Sequence, residues 1–330
     1  MKTNLSFKDL FLFLTIGAFT VVTTSSCDKD DDPVVVTNTI TDKVVADASF
    51  SLLEKAVVKA GLAETLKSTG PFTVFAPDDA AFAASGISTA TIDGYTADQL
   101  KKLLLYHTVA SKILAADVPA GPNAKVLTAN VTPDSIFVTK NASGVFINGI
   151  KVTAADVTAD NGVIHKLEKV LIPASGNVVE TAIATSGGDN GLDSLVVAVV
   201  RADAAAPGLI NTLSSVTLTV FAPTNKAFRD LLSALSLNNI SQVPIDILIA
   251  VLQYHVVPSR AFSSDLANGA LPMLANGSTT ISLTGPTIKG NNSVLNLSVS
   301  GSATNTCNII ATNVLCRNGV VHLIDRVLLP

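Results

Sequence analysis

The chain has 330 residues, a formal net charge of -4 and no Trp, with 48 % hydrophobic and only 15 % charged residues, against roughly 25 % charged in soluble domains. That composition excludes intrinsic disorder, which needs low hydrophobicity and high charge, and a pI ≈ 5.5 offers no basic field to a nucleic-acid partner. Three Cys are too few for a disulfide scaffold or a multi-Cys zinc site, and the length suggests about two domains.

The N-terminus reads as an address. Lys2 and Lys8 precede an apolar run from Leu10 to Val22, shorter than the roughly 20 residues that cross a bilayer, so residues 1–26 form an export signal. Thr24-Ser25-Ser26 then lead into Cys27. Small residues before a Cys resemble the lipobox of bacterial lipoproteins, which implies cleavage before Cys27 and acylation of its sulfur and new amino group. The alternative is a stray Cys after an ordinary signal. Residues 27–39, with Asp28, Asp30, Asp31 and Asp32, form an acidic tether. It is similar to the export tag that follows the lipid Cys in Bacteroidota surface lipoproteins. The expectation is an outer-membrane lipoprotein displayed at the surface, with the periplasmic face as the alternative and the lipid as the membrane attachment.

Ser51 to Ala60 carries Leu53, Ala56, Val57 and Ala60 at helical spacing, and Gly61 stops it. Phe72–Ala76 is β-rich and ends at Pro77; Asp78 or Asp79 caps a short helix reaching Phe82. Thr96-Ala-Asp-Gln99 is a capping box opening a helix to Tyr106. Short alternating β segments follow, and Asn161-Gly162 reads as a hairpin turn into the last strand. The same blocks then recur. Leu218–Pro223 followed by Phe228 repeats Phe72–Pro77 and Phe82, with Thr224 as the cap. Tyr254-His255 repeats Tyr106-His107, and Pro244 opens the second helix of that kind. Asn318-Gly319 through Pro330 repeats Asn161-Gly162 through Pro173. Between them, Gly187-Gly188-Asp189-Asn190-Gly191 is a loop before a helix from Leu192 to Val200. Copies about 150 residues apart are domain-sized, not solenoid units, so residues 40–174 and 178–330 form two domains. Each buries its own Ala/Val/Leu-rich core, and the short linker limits separation while leaving rocking open. Helices early and strands late make each copy α+β.

Together these three blocks resemble the fasciclin-like (FAS1) domain, marked by a Thr-Val-Phe-Ala-Pro strand-turn, a Tyr-His pair ending a helix, and Asn-Gly-Val-x-His closing with Leu-x-Pro. The resemblance covers roughly residues 40–330. It implies a twisted β-sheet wedge of about seven strands packed with several short helices in each copy. It also implies cell adhesion or matrix contact, and it brings no shared catalytic residues.

The chemistry on offer is sparse. The four His are His107, His165, His255 and His322, two per copy at matching positions. His107 and His255 lie on apolar helix faces, and His165 and His322 share a strand face with aliphatic residues. They read as buried structural groups locking helix to strand, alongside Asn161, Gly162, Asn318 and Gly319. A metal or catalytic pair lacks a third ligand at a recognisable spacing. Tyr106, His107, Tyr254 and His255 are candidate partner contacts, because the family's Tyr-His region has been linked to receptor contact. The other reading is a Tyr ring packed at a helix end with its hydroxyl in water. Cys307 and Cys316 either form a disulfide across neighbouring β segments or remain buried thiols; the first copy has Ile150 and Ala159 there. No nucleophile elbow, metalloprotease motif or phosphate loop is present, so no catalytic residue, metal or cofactor is expected. The reading is a lipid-anchored adhesion or scaffold protein with a protein or matrix partner. A glycan-binding accessory of a surface polysaccharide system is the alternative and a hydrolase the remote one.

Overall fold

The computed structural model describes residues 38–130, 134–274, 278–282, 287–289 and 306–329. The export signal, Cys27 and nearly all of the tether lie outside them. In the first copy the chain forms α1 (Ile40–Ala46), α2 (Ser51–Lys59), α3 (Ala63–Lys67), β1 (Phe72–Pro77), α4 (Asp79–Ala84), α5 (Thr89–Gly94) and α6 (Ala97–Tyr106). It continues with β2 (Thr108–Val109), β3 (Gly121–Leu127), β4 (Ser135–Asn141), β5 (Gly144–Ile147), β6 (Ile150–Ala159) and β7 (Gly162–Leu167). Local chemistry explains the boundaries. Asp78 caps α4 by accepting the Ala81 N–H at 2.9 Å, Thr96 and Gln99 form a reciprocal capping box on α6, and Gly61 leaves α2 with φ +67.

The second copy repeats the series as α7 (Val178–Ala184), α8 (Asp193–Ala205), α9 (Leu209–Ser215), β8 (Leu218–Pro223), α10 (Asn225–Ala234) and α11 (Ile245–Gln253). Strands β9 (Val256–Val257), β10 (Gly269–Pro272), β11 (Ser278–Ser282), β12 (Thr287–Lys289), β13 (Thr306–Cys316) and β14 (Gly319–Ile324) follow. The first sheet runs β2-β1-β7-β6-β5-β4-β3 and the second runs β9-β8-β14-β13-β12-β11-β10, the same order in equivalent strands. In each, the first long strand pairs in parallel with the last, β1 with β7 and β8 with β14. The other neighbours are antiparallel.

The first strand of that pair, one in from the sheet edge, is buried on both faces, as parallel strands usually are. Val74 and Ala76 pack with Leu53, Val57, Leu100 and Leu104 on the helical side. Phe75 points the other way, to Tyr106, Val109, Ile136, Ile147 and Leu171. Val220 and Ala222 against Phe221 divide the second copy in the same manner. Each copy therefore has two clusters where the sequence suggested one.

The turn at Asn161-Gly162 is corrected. Ala159 pairs with Gly162 and Cys316 with Gly319, so the turn residues are Asp160-Asn161 and, in the second copy, Arg317-Asn318 in place of the expected Asn318-Gly319, and both glycines are already strand. The Asn-Gly pair with both residues at positive φ is Asn148-Gly149, at +50 and +75. It joins β5 to β6, as a type I′ hairpin requires. Asn161 has a different task. Its Oδ1 accepts the Ile40 N–H at 3.0 Å, and its Nδ2 donates to Leu66 O at 2.7 Å and Ser68 O at 2.8 Å. Asn318 does the same with Val178 N–H, Leu213 O and Val216 O, each at 2.9 Å. Each Asn ties the start of its copy to the start of the closing strand.

The disulfide is also corrected. Cys307 and Cys316 stand near the two ends of one continuous strand, β13. At about 3.3 Å per residue their sulfurs are far beyond bonding reach, and they belong to different clusters. The Cys316 thiol lies 3.2 Å from Thr181 Oγ1, and burial pushes its pKa up. Both residues are 1 % exposed. A thiol reagent is therefore expected to label neither in the native protein and both after denaturation. Loss of two hydrogens, detected by mass between reduced and non-reduced chain, would contradict this.

Both copies belong to one compact unit, Thr37–Pro330, and the contact between them is specific. Arg260 lies 4.1 Å above the Phe137 ring, and Phe262 packs on the same ring at 6.1 Å. Thr139 Oγ1 donates to Asp265 Oδ1 at 2.7 Å, Asn123 Nδ2 to Arg260 O at 2.8 Å, and Asn141 Nδ2 to Ser264 O at 2.9 Å. Arg317 Nη2 also donates to Ser175 O at 2.9 Å, which fixes the linker. Removing the ring in Phe137→Ala should cost about 1–3 kcal/mol of this contact. Hydrogen exchange of the Asp265 amide should quicken about tenfold or more. Exchange equal to wild type would show that the contact is not held in solution.

Candidate functional site

The candidate residues converge on the sheet's parallel pair. His107 follows α6 at its C-cap. Its Nε2 accepts the Leu171 N–H at 2.9 Å, so the proton sits on Nδ1, which donates to Leu103 O at 2.8 Å. His255 repeats this with Leu328 N–H at 2.8 Å and Val251 O at 2.7 Å. Each ring bridges its helix to the segment leaving the last strand. Burial pulls both pKa values down to about 4, because no carboxylate partner compensates a charged ring there.

His165 and His322 hold the opposite tautomer. His165 Nδ1 accepts the Asp156 N–H at 3.2 Å and Nε2 donates to Ile113 O at 2.8 Å. His322 accepts from Asn313 N–H at 3.4 Å and donates to Ala261 O at 3.0 Å. The two donors come from strand irregularities where Asp156 and Asn313 adopt φ +59 and +62. Each ring also stacks on the Phe opposite it in register, His165 on Phe75 at 5.5 Å and His322 on Phe221 at 5.4 Å. Burial lowers the pKa of His322.

Tyr106 does not keep its hydroxyl in water. It donates to Ser135 O at 3.1 Å and accepts from Asn148 Nδ2 at 3.0 Å. Burial pushes its pKa up to about 12. Tyr106 and Tyr254 are 1 % exposed, and His107 and His255 are 2 % exposed. The four candidate partner contacts are thus inside the fold, and a partner cannot reach them without opening the core. Sequence reasoning missed Asn148, Arg260 and Phe137. An aligned comparison of the loops Ser111-Lys112-Ile113-Leu114 and Ser259-Arg260-Ala261-Phe262 carries the signal for Arg260, because the second copy substitutes Arg and Phe at matching places.

The arrangement offers little chemistry. Both ring nitrogens of all four His are committed to backbone groups, and among the described residues no group of three His, Cys, Asp or Glu is placed to hold a metal. No described helix is long and apolar enough to cross a membrane.

The model of the fasciclin domain matches residues 48–173 and 196–330, most of the chain. The chain belongs to the fasciclin family. It carries two tandem fasciclin domains, each a curled seven-stranded sheet with several helices. The chain is similar to Protein sll1483 of Synechocystis, 40 % identical over 41 % of this chain and 73 % of that protein. It is also similar to pig transforming growth factor-beta-induced protein ig-h3, 36 % identical over 43 % of this chain and 20 % of that one. Human periostin is 25 % identical over 82 % of this chain and 29 % of its own length. A FAS1 domain pair from the insect cell adhesion molecule Fasciclin I has a TM-score of 0.36 and 18 % identity over 88 % of this chain and 96 % of that one.

Proposed function

We propose that this fasciclin protein is a lipid-anchored adhesion or scaffold protein of the cell envelope, held through Cys27 and presenting the outer surfaces of its two domains to a protein or matrix partner. The observation that carries this reading is the burial of the Tyr-His pairs and the commitment of every His nitrogen to the framework. Turnover built on these His or Tyr groups would need at least one of them open to substrate. Membership in the fasciclin family, shared with transforming growth factor-beta-induced protein ig-h3 and periostin, points the same way. The weak net charge means that binding should depend little on salt.

The test is protease treatment of intact cells, paired with mass analysis of the mature N-terminus. Surface display of a chain starting at acylated Cys27 is the expected result. A chain protected until the outer membrane is opened would place it on the periplasmic face, and an unmodified Cys27 would remove the anchor.

A further inference from the structure

The second domain reaches the first through residues 260–265 and through Asn313. Arg260 and Phe262 meet the Phe137 ring, and Asp265 accepts from Thr139. Asn313 Nδ2 donates to Gly149 O at 3.2 Å, an approach so close that a Cβ on Gly149 would lie 2.5 Å from that nitrogen. Both pieces hang on one ring. His322 Nε2 donates to Ala261 O, between Arg260 and Phe262, and its Nδ1 accepts the Asn313 N–H. Asn313 Oδ1 also accepts the Ser263 N–H at 2.8 Å, which joins the two pieces directly.

The first domain repeats the ring without the interface. His165 holds Ile113 O and the Asp156 N–H in the same way. Asp117 accepts the Leu114 N–H at 3.2 Å, as Asp265 accepts the Phe262 N–H at 2.8 Å, so the two segments share one turn. Asp156, however, turns its side chain back to the Ala115 N–H at 2.9 Å, inside its own domain.

We propose that His322 is a pH-sensitive latch for the domain pair: its neutral ring holds residues 260–265 and Asn313 in the docked geometry, and protonation at Nδ1 releases the second domain from the Phe137 face. A protonated Nδ1 has no lone pair for the Asn313 N–H. The two donors then face each other, and the irregular position at Asn313, with φ +62, must shift and take its side chain from Gly149. Asp265 is the charged group that acts on the ring from the packed segment. It attracts the protonated ring, and it is the same carboxylate that holds Thr139. Arg260 spends its guanidinium on Cys316 O and Gly319 O. Phe221 from β8 and Asn313 from β13 bring no charge, and Tyr254 and Cys307 in the cluster around Phe221 stay neutral in acid. Burial disfavours the charged ring in the docked state. Release lets water reach it, so the proton binds the open form more tightly. Acid therefore favours opening, by at most about tenfold per pH unit. A cleft of about 470 Å³ between the domains, lined by Asn148, Gly149, Ser175 and Asn313, lies against this latch and changes shape with it.

The test is residual dipolar couplings of the full chain between pH 7.5 and 4.5, fitted to each domain separately. At pH 7.5 both domains should share one alignment tensor. On acidification the tensors should diverge while each domain still fits its own structure. His322→Phe should abolish the pH dependence of the pose, and His165→Phe should leave it unchanged. If His322→Phe does not fold, Asn313→Gly decides: it tolerates the positive φ, lacks the side chain, and should raise the pH at which the tensors diverge. One shared tensor down to pH 4.5, separate tensors already at pH 7.5, or unfolding of the second domain before divergence would overturn the proposal. So would an unchanged pH response in the folded His322→Phe or Asn313→Gly variant.

Discussion

Acidification from pH 7 to pH 4 is expected to remove about 3 kcal/mol of stability from each domain through one buried histidine. His107 and His255 titrate near 6.5 when unfolded and at about 4 when folded. Between those values the unfolded chain binds the proton and the folded chain does not. Stability is therefore fully present above pH 6.5, falls as the pH drops towards 4, and gains no further loss from these groups below that. The cause is specific. A protonated ring has no acceptor left for the Leu171 or Leu328 N–H that its Nε2 now holds. Urea midpoints measured at pH 7.5, 6, 5 and 4.5 check this. Both domains should shift, and His107→Gln should flatten the dependence of the first domain alone. A midpoint constant from pH 7.5 to 4.5 would refute the assignment.

Gly162→Ala and Gly319→Ala are expected to destabilise their domains by at least about 3 kcal/mol each. The reason is backbone, not side chain. A Cβ on Gly162 would lie 2.1 Å from Phe72 O, and one on Gly319 would lie 2.0 Å from Leu218 O. Those carbonyls belong to the parallel pairs β1–β7 and β8–β14 that separate the two clusters of each domain. Relief requires parting the strands, which also strains the Asn161 or Asn318 clamp next to them. Gly94→Ala is the control, since a Cβ there meets nothing within 4 Å and its φ is ordinary. It should be neutral or slightly stabilising. Thermal melts of the three variants give the comparison, and equal melting of Gly162→Ala and Gly94→Ala would mean that the close approach is absent.

Much of this framework was legible in the chain. Caps at Asp78, Thr96 and Thr224 followed from residue type and spacing, and they appear in place. The doubled blocks gave two α+β domains because each block is a local signal that survives on its own. What failed was long-range. Asn161-Gly162 looks like a turn because Asn-Gly usually is one. Only the neighbouring strand shows that the Gly is there for close approach and the Asn for clamping. Cys307 and Cys316 looked like facing segments because nothing local announces an unbroken strand through irregular positions such as Asn313. The Tyr106 hydroxyl meets Asn148, far along the chain, and no periodicity encodes that meeting. The apolar helix faces that carry His107 and His255 point to burial, and both rings are buried; the partner-contact reading of the Tyr-His pairs rests on the family resemblance and not on those faces.

The central claim is that the four histidines are framework groups and that the protein works through its outer surfaces. Long-range ¹H–¹⁵N correlation of the imidazole nitrogens, recorded through a pH titration, tests it most directly. The structure requires a neutral Nδ1–H ring at His107 and His255, and Nε2–H at His165 and His322. It also requires no titration of His107 or His255 until the pH approaches about 4. Either of these two rings protonating near the free value of about 6.5, or showing the other tautomer, would contradict the account.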